Sequence, residues 1–132
     1  MRRSAIVEAM RGPFYAADIT EPGTWPNVPD PGSVPRVEVA WADPDRTSPT
    51  LDRTAAVIER GRLILTAVGP PDDGEDETNA RADALAEAYP ADSRLTGVGC
   101  LIVIGLPLVR AGYRDGPEWR VPVVIPYVAY NQ

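Results

Sequence analysis

Five acids in six positions, Asp72, Asp73, Glu75, Asp76 and Glu77, are the densest concentration of ligand-type side chains in the chain. Their oxygens suit a divalent cation, but a calcium loop needs acids at alternate positions, a central glycine and a bidentate Glu at its end. Asp72, Gly74 and Asp76 do not fit that spacing. Acids at the start of a helix are already explained by the helix dipole. Glu38 and Glu59 fall inside strand-like segments, and neither shows the apolar pocket and ionised partner of a catalytic carboxylate pair. The chain holds no His, so the commonest general base near neutral pH and the commonest transition-metal ligand are missing. Ser and Thr hydroxyls have no His to activate them, and neither G-x-S-x-G nor G-x-x-x-x-G-K-[ST] occurs. Gly97-Val98-Gly99 resembles a fragment of a phosphate loop, but an apolar strand follows it, so it reads as a turn. No catalytic residue, cofactor or metal is expected.

Two features remain. Cys100 is the one cysteine; it cannot form an internal disulfide, and in the apolar stretch Val98 to Ile104 it reads as a small core hydrophobe. Arg110, Arg114 and Arg120, with Tyr113 and Trp119 between them, are the only cluster mixing arginine with aromatics. These types are enriched at protein-protein hot spots, and arginine also stacks on single-stranded bases. The same residues equally describe a plain hairpin from Arg110 to Glu118 with Asp115-Gly116 as its turn.

Composition narrows the choice. The 13 basic residues, all Arg, face 19 acids, for a net charge of -6. A reader of duplex DNA needs the opposite balance to displace counterions from phosphates. At 132 residues one domain with a self-standing core is expected. Proline, 15 residues in all, is about twice its usual ~5% and predicts long irregular connections. The N-terminus lacks the apolar core of a signal peptide, and the longest apolar run, Val98 to Val109, is too short and too interrupted by Gly105 and Pro107 to span a membrane. A soluble protein, intracellular when made, is expected.

The elements that must position these residues follow from periodicity. Ser4 caps a short helix to Met10, with Ala5, Ile6, Ala9 and Met10 on one stripe and Gly12-Pro13 as its stop. A proline-rich loop over about 12–35 follows, with Trp25 as its anchor. Arg36 to Ala42 alternates as a half-buried strand: Val37, Val39 and Trp41 inward, Arg36 and Glu38 outward. A charged arm over about 43–53 comes next. Thr54 to Ile58 and Arg62 to Val68 form one long central strand, bulged at Glu59-Arg60-Gly61. Asn79 to Tyr89 is a helix with Ala80, Ala84, Leu85 and Ala88 on its stripe, ended by Pro90. Leu95 to Gly112 is an apolar strand region divided at Pro107. In the last element, Trp119 to Tyr130, Pro122 and Pro126 fall on the same alternating series and remove N-H donors from one edge. That predicts an edge strand, open to solvent or to a neighbouring subunit. The sum is an α+β domain: a mainly antiparallel twisted sheet with two helices packed on one face.

In size, order and apolarity, three stretches resemble the tail terminator proteins of long-tailed bacteriophages and phage-like gene transfer agents. They are the helix Ser4 to Met10, the strand-loop-helix unit from Arg60 to Gly69 and on to Tyr89, and the closing segment from Asp115 to Tyr127. The resemblance implies a structural virion protein of the tail neck, assembled in the bacterial host cytoplasm. Its copies form a ring, typically a hexamer, that caps the head-proximal end of the tail tube and stops its growth. The ring also offers a docking face to the head-tail connector or stopper. Partners are then other copies, the tail tube protein and the connector. DNA passes through the lumen without specific binding, and an acidic lumen would keep it from adhering. A closed ring needs head-to-tail contacts. The candidates for it are Arg110, Tyr113, Arg114, Trp119, Arg120, Pro122 and Pro126, and reversing Arg114 and Arg120 to Glu is expected to abolish rings with the fold intact. Asp43, Asp45, Arg46, Asp52 and Arg53 are the candidates for tube or connector contact. The nearest rival is another ring-forming connector or a tail tube subunit. A second, a small-molecule or hydrolytic domain, requires a deep pocket around Cys100 or Glu38.

Overall fold

The computed structural model describes residues 2–16, 23–24, 35–48, 57–70 and 75–131. Helix α1 (Arg3–Ala16) is followed by strands β1 (Gly23–Thr24), β2 (Arg36–Thr47) and β3 (Ile58–Gly69), then helix α2 (Glu75–Glu87). Strands β4 (Arg94–Gly97), β5 (Cys100–Ile104), β6 (Leu108–Val109), β7 (Tyr113–Asp115) and β8 (Glu118–Asn131) complete the order. The fold is α+β. The sheet runs β1-β2-β3-β8-β5-β4, with β6 and β7 also paired to β8. Only the short β1-β2 pair is parallel among the described pairings.

Strand alternation decides which face is dry. Leu63, Leu65 and Ala67 of β3 and Val121, Val123, Ile125 and Tyr127 of β8 lie in one buried cluster. The cluster also contains Ile6, Met10 and Phe14 of α1 and Ala82 and Leu85 of α2. Both helices therefore pack on the sheet face that carries the odd-numbered residues of β3 and β8 and the even-numbered Cys100, Ile102 and Ile104 of β5. Each fully buried Leu or Ile there contributes about 1.5–3 kcal/mol. Cys100 is a buried free thiol in this cluster, as its apolar surroundings predict. The Gly97-Val98-Gly99 turn joins β4 to β5, with Gly97 opposite Cys100 and Gly99 at φ 71°.

The helices depart from expectation in instructive ways. Ser4 is no cap: it lies within the first turn, and the Arg2 carbonyl accepts from the Ala5 and Ile6 amides. Gly12-Pro13 does not stop α1, which carries Pro13 inside it and ends at Ala16. The extra turn buries Phe14 in the core. The Tyr89 hydroxyl donates to the Met10 carbonyl at 2.6 Å and ties this end of the helix to the core; burial of Phe14 offsets the helical bond that Pro13 cannot give to the Ala9 carbonyl. Helix α2 begins at Glu75, four residues before Asn79, so its acids form the first turn itself. Its buried side chains are Thr78, Ala82 and Leu85, while Ala80 and Ala84 are exposed. The stripe is rotated from the expected one because Thr78, a polar residue, faces inward.

The largest correction concerns β8. It is not an edge strand: β3 pairs with it through twelve residues without a shift, from Ile58 opposite Tyr130 to Gly69 opposite Trp119. Its other side is occupied by β5, β6 and β7. Pro122 and Pro126 nonetheless mark where that side breaks. Between Ile104 opposite Tyr127 and Leu108 opposite Val124, residues 105–107 face 125–126. Between Val109 opposite Val123 and Tyr113 opposite Arg120, residues 110–112 face 121–122. Each break sits against a proline and uses its carbonyl, the Gly105 amide donating to Pro126 and the Arg110 amide to Pro122. The chain adapts to the missing donors by interrupting the partner. Pro107 lies in the first break, dividing the apolar region as its sequence predicts.

The bulge also lies elsewhere than expected. Strand β3 is continuous, and the register shift is in β2, between Ala42 opposite Arg62 and Asp45 opposite Arg60. Two residues, one of them Pro44, there oppose Gly61, as a bulge permits. Gly61 is small for another reason: a Cβ at that position would lie 2.6 Å from the Tyr127 hydroxyl oxygen. Residues 43–47, expected in a free arm, thus belong to the sheet. Trp25, most of the proline-rich loop, and the acids Asp72 and Asp73 lie outside the described residues.

Candidate interaction surfaces

Two ion networks bind β2 to its neighbours, and neither was anticipated as a network. The first lies on the sheet face away from the helices. Arg36 Nη1 donates to Glu118 Oε2 at 2.6 Å and its Nη2 to Glu38 Oε1 at 2.9 Å. Arg120 donates to Glu38 and, at 3.0 Å, to Glu118, and its Nε stands 3.3 Å from Asp115. Arg36, expected outward on β2, is only 7% exposed. Hydrogen bonding by Arg120 holds the Glu38 carboxyl below the usual carboxylate range against the opposing effect of burial, and Arg36 does the same for Glu118. The reciprocal bonds from Glu118 and from Glu38 raise Arg36 and Arg120 respectively.

The second network is on the helix face. Glu59 is fully buried. Arg3 Nη1 reaches its Oε2 at 2.8 Å, and Arg46 Nε its Oε1 at 2.7 Å. The Tyr127 hydroxyl donates to Oε2 at 2.8 Å while accepting from Arg3 at 2.9 Å. The Arg3 guanidinium also lies 4.6 Å over the Trp41 ring, within cation-π range. Burial pushes the Tyr127 phenol up to about 12, with Arg3 working against that rise. The site was detectable in principle. Glu59 shares its alternation with Gly61, Leu63 and Leu65, and an acid on a core-facing series must find cationic partners.

These networks reassign several candidate contact residues. Arg120 is a half-buried structural ion-pair residue, so its reversal to Glu disturbs the link between β2 and β8 and cannot serve as a fold-neutral test. Arg46 is held by Glu59. Trp119 packs against the core, and a Cβ on Gly112 would meet its indole at 2.8 Å. Pro122 and Pro126 are half-buried within a central strand; the open edge that recommended them for ring contact does not exist. Arg110, Tyr113 and Arg114 are exposed together around β7. The hairpin turn there is centred on Gly116-Pro117, one residue later than expected, with Gly116 at φ 59°. Asp45 is exposed; Asp52 and Arg53 lie outside the described residues, as does the side chain of Asp43.

Surface grooves among the described residues are shallow. Two of about 500 and 580 Å³ flank Glu8 between α1 and the β4-β5 turn, and one of about 480 Å³ lies between α2 and Arg110. Neither Cys100 nor Glu38 lines any of the three, so the pocket that a small-molecule reading requires is not found at those residues. Among the described residues no His, Cys, Asp and Glu group is arranged to hold a metal, and no helix is long and apolar enough to cross a membrane.

A solved structure superimposes on the chain with a TM-score of 0.73 at 19% identity, over 98% of this chain and 96% of that one. At that identity the likeness establishes the fold alone. No curated protein matches the sequence. A family profile described as "Phage tail terminator protein" matches residues 6–127.

Proposed function

Since the chain belongs to the phage tail terminator family, a structural family of the virion tail, we propose that its copies close into a ring on the head-proximal end of the tail tube. Six copies form the ring; it halts tube growth and presents a docking face to the head-tail connector. The family match over residues 6–127 carries this reading. Its physical requirement is modest: one rim complements the last tube ring, and the other refuses a further tube subunit. The exposed Arg110, Tyr113 and Arg114 around β7 are offered as a rim contact, and Asp45 at the base of the β2-β3 connection as another. DNA crosses the lumen without being read, in keeping with a net charge of -6 and the poor affinity of such a surface for phosphates.

Light scattering and electron microscopy of the purified protein, alone and mixed with its tube protein, test the reading. Single rings that stop at one layer are expected. Long self-stacked polymers would transfer the assignment to a tube subunit, and a strict monomer under both conditions overturns it.

A further inference from the structure

Among the described residues, and away from the outer ion network, the exposed side of each layer carries a patch of unpaired charge, and the two patches have opposite sign. On α2, the residues pointing away from the core are Asp76, Ala80, Asp83, Ala84 and Glu87, all exposed. Their spacing of four, three, one and three places them on one helical stripe. On the sheet face away from the helices, register aligns Arg94, Val103, Val128 and Arg60 in one row across β4, β5, β8 and β3. Arg62 stands two residues along on the same face. The three arginines are exposed and the two valines half-buried. Among the described residues none of these arginines, and none of Asp76, Asp83 and Glu87, is held in an ion pair. Among the described residues Asp45 is the acid opposite Arg60 in register, and three guanidiniums outnumber it.

The dimensions agree as well as the signs. From Asp76 to Glu87 the helix rises about 16 Å. From Arg94 to Arg60 there are three strand spacings, about 14 Å. A stripe with acids at both ends, and Ala80, Asp83 and Ala84 between, therefore fits a row with arginines at both ends and valines between, Arg62 lying beside it. The alanine methyls are too short to hold the helix off the sheet. The two surfaces lie on opposite sides of the same subunit, so a contact between them is head-to-tail and repeats, the symmetry a closed ring needs.

We propose that a second copy of this chain lays its α2 stripe across the Arg60, Arg62 and Arg94 face, and that this is the subunit contact of the ring. The proposal rests on the ring reading above and adds the surfaces. Two charge-reversal variants test it, Arg60→Glu with Arg62→Glu on the sheet and Asp83→Arg with Glu87→Arg on the helix. Each alone places like charges in the contact, and the concentration for half-assembly by sedimentation is expected to rise at least tenfold. An equimolar mixture restores both contacts in alternation and returns oligomers of even number. If each variant assembles like the wild type, or the folded pair fails to restore assembly, the contact is wrong and the ring reading survives through other surfaces. If the wild type itself never associates, with or without tube protein, the ring reading fails and the contact with it. Ala84→Arg, at an exposed helix position, keeps the test available should a double variant not fold: weakened assembly supports the contact, and unchanged assembly overturns it.

Discussion

The two sides of β8 are built from one strand yet behave as different materials. Towards β3 it offers an uninterrupted series of donors and acceptors, and the ladder runs twelve residues without a shift. Towards β5, β6 and β7 it offers Pro122 and Pro126, and the ladder falls into three pieces. Both ion networks centre on the continuous side, around β2, β3 and β8, and only the Arg120–Asp115 contact reaches β7. The interrupted side carries exposed apolar residues, Leu106 at 78% and Leu108 at 54%. The missing backbone donors thus give β8 one continuously laddered side and one interrupted side, and local opening is expected to be easier on the interrupted side.

The sharpest test compares one leucine from each side. Leu65→Ala, fully buried in β3, is expected to lower unfolding free energy by about 2–5 kcal/mol, and Leu108→Ala in β6 by about 0.5 kcal/mol or less. Equal losses in urea unfolding would abolish the distinction.

A smaller effect separates the two ion networks. Glu59→Gln removes a buried carboxylate shared by two guanidiniums and is expected to cost about 2 kcal/mol. Glu38→Gln, on a partly exposed carboxylate, is expected to cost about 0.5–1 kcal/mol. Acid should reveal the outer network too. Glu38 and Glu118 are held below the ordinary value of 4.5, so the folded state binds fewer protons than the unfolded chain as pH falls past 4.5. Their contribution is complete above that value and is lost as pH falls through the depressed ones. Tyr127 has the opposite sign: its phenol, raised from 10.0 to about 12, stabilises the fold fully below pH 10 and loses that contribution as pH rises through 12. Thermal melts of the wild type and Glu38→Gln from pH 3 to 7 check the acid limb; the variant should be less sensitive to acid.

The smallest effect is in amide exchange. Val123, Ile125 and Tyr127 direct their amides to β3 and should exchange about tenfold or more slowly than Val124 and Val128, which face the interrupted side. Uniform protection along β8 would mean that the breaks carry no mechanical consequence.

Local pattern was enough for the α+β class, the buried Cys100, the central position of β3, the turn at Gly97-Val98-Gly99 and the break at Pro107, because each follows from period-two alternation or from a residue with restricted backbone geometry. The proline series in β8 was legible as a loss of donors but not as a position in the sheet, since an edge strand and an interrupted neighbour satisfy the same missing N-H groups. Helix boundaries failed for a related reason: Pro13 and Thr78 contradict local propensity, and only burial of Phe14 and the packing of α2 on β3 and β8 override it.

The family resemblance, the acidic balance and the alternation of apolar residues were determined by the chain's own order of side chains. What required the third dimension was partnership. Glu59 lies 56 residues from Arg3 and 68 from Tyr127, and Arg60 lies 34 positions before Arg94 in the chain but shares a row with it across four strands. Coulombic attraction and hydrogen bonding act over a few ångströms of space, and the distance along the chain carries no record of which residues the sheet register will bring that close.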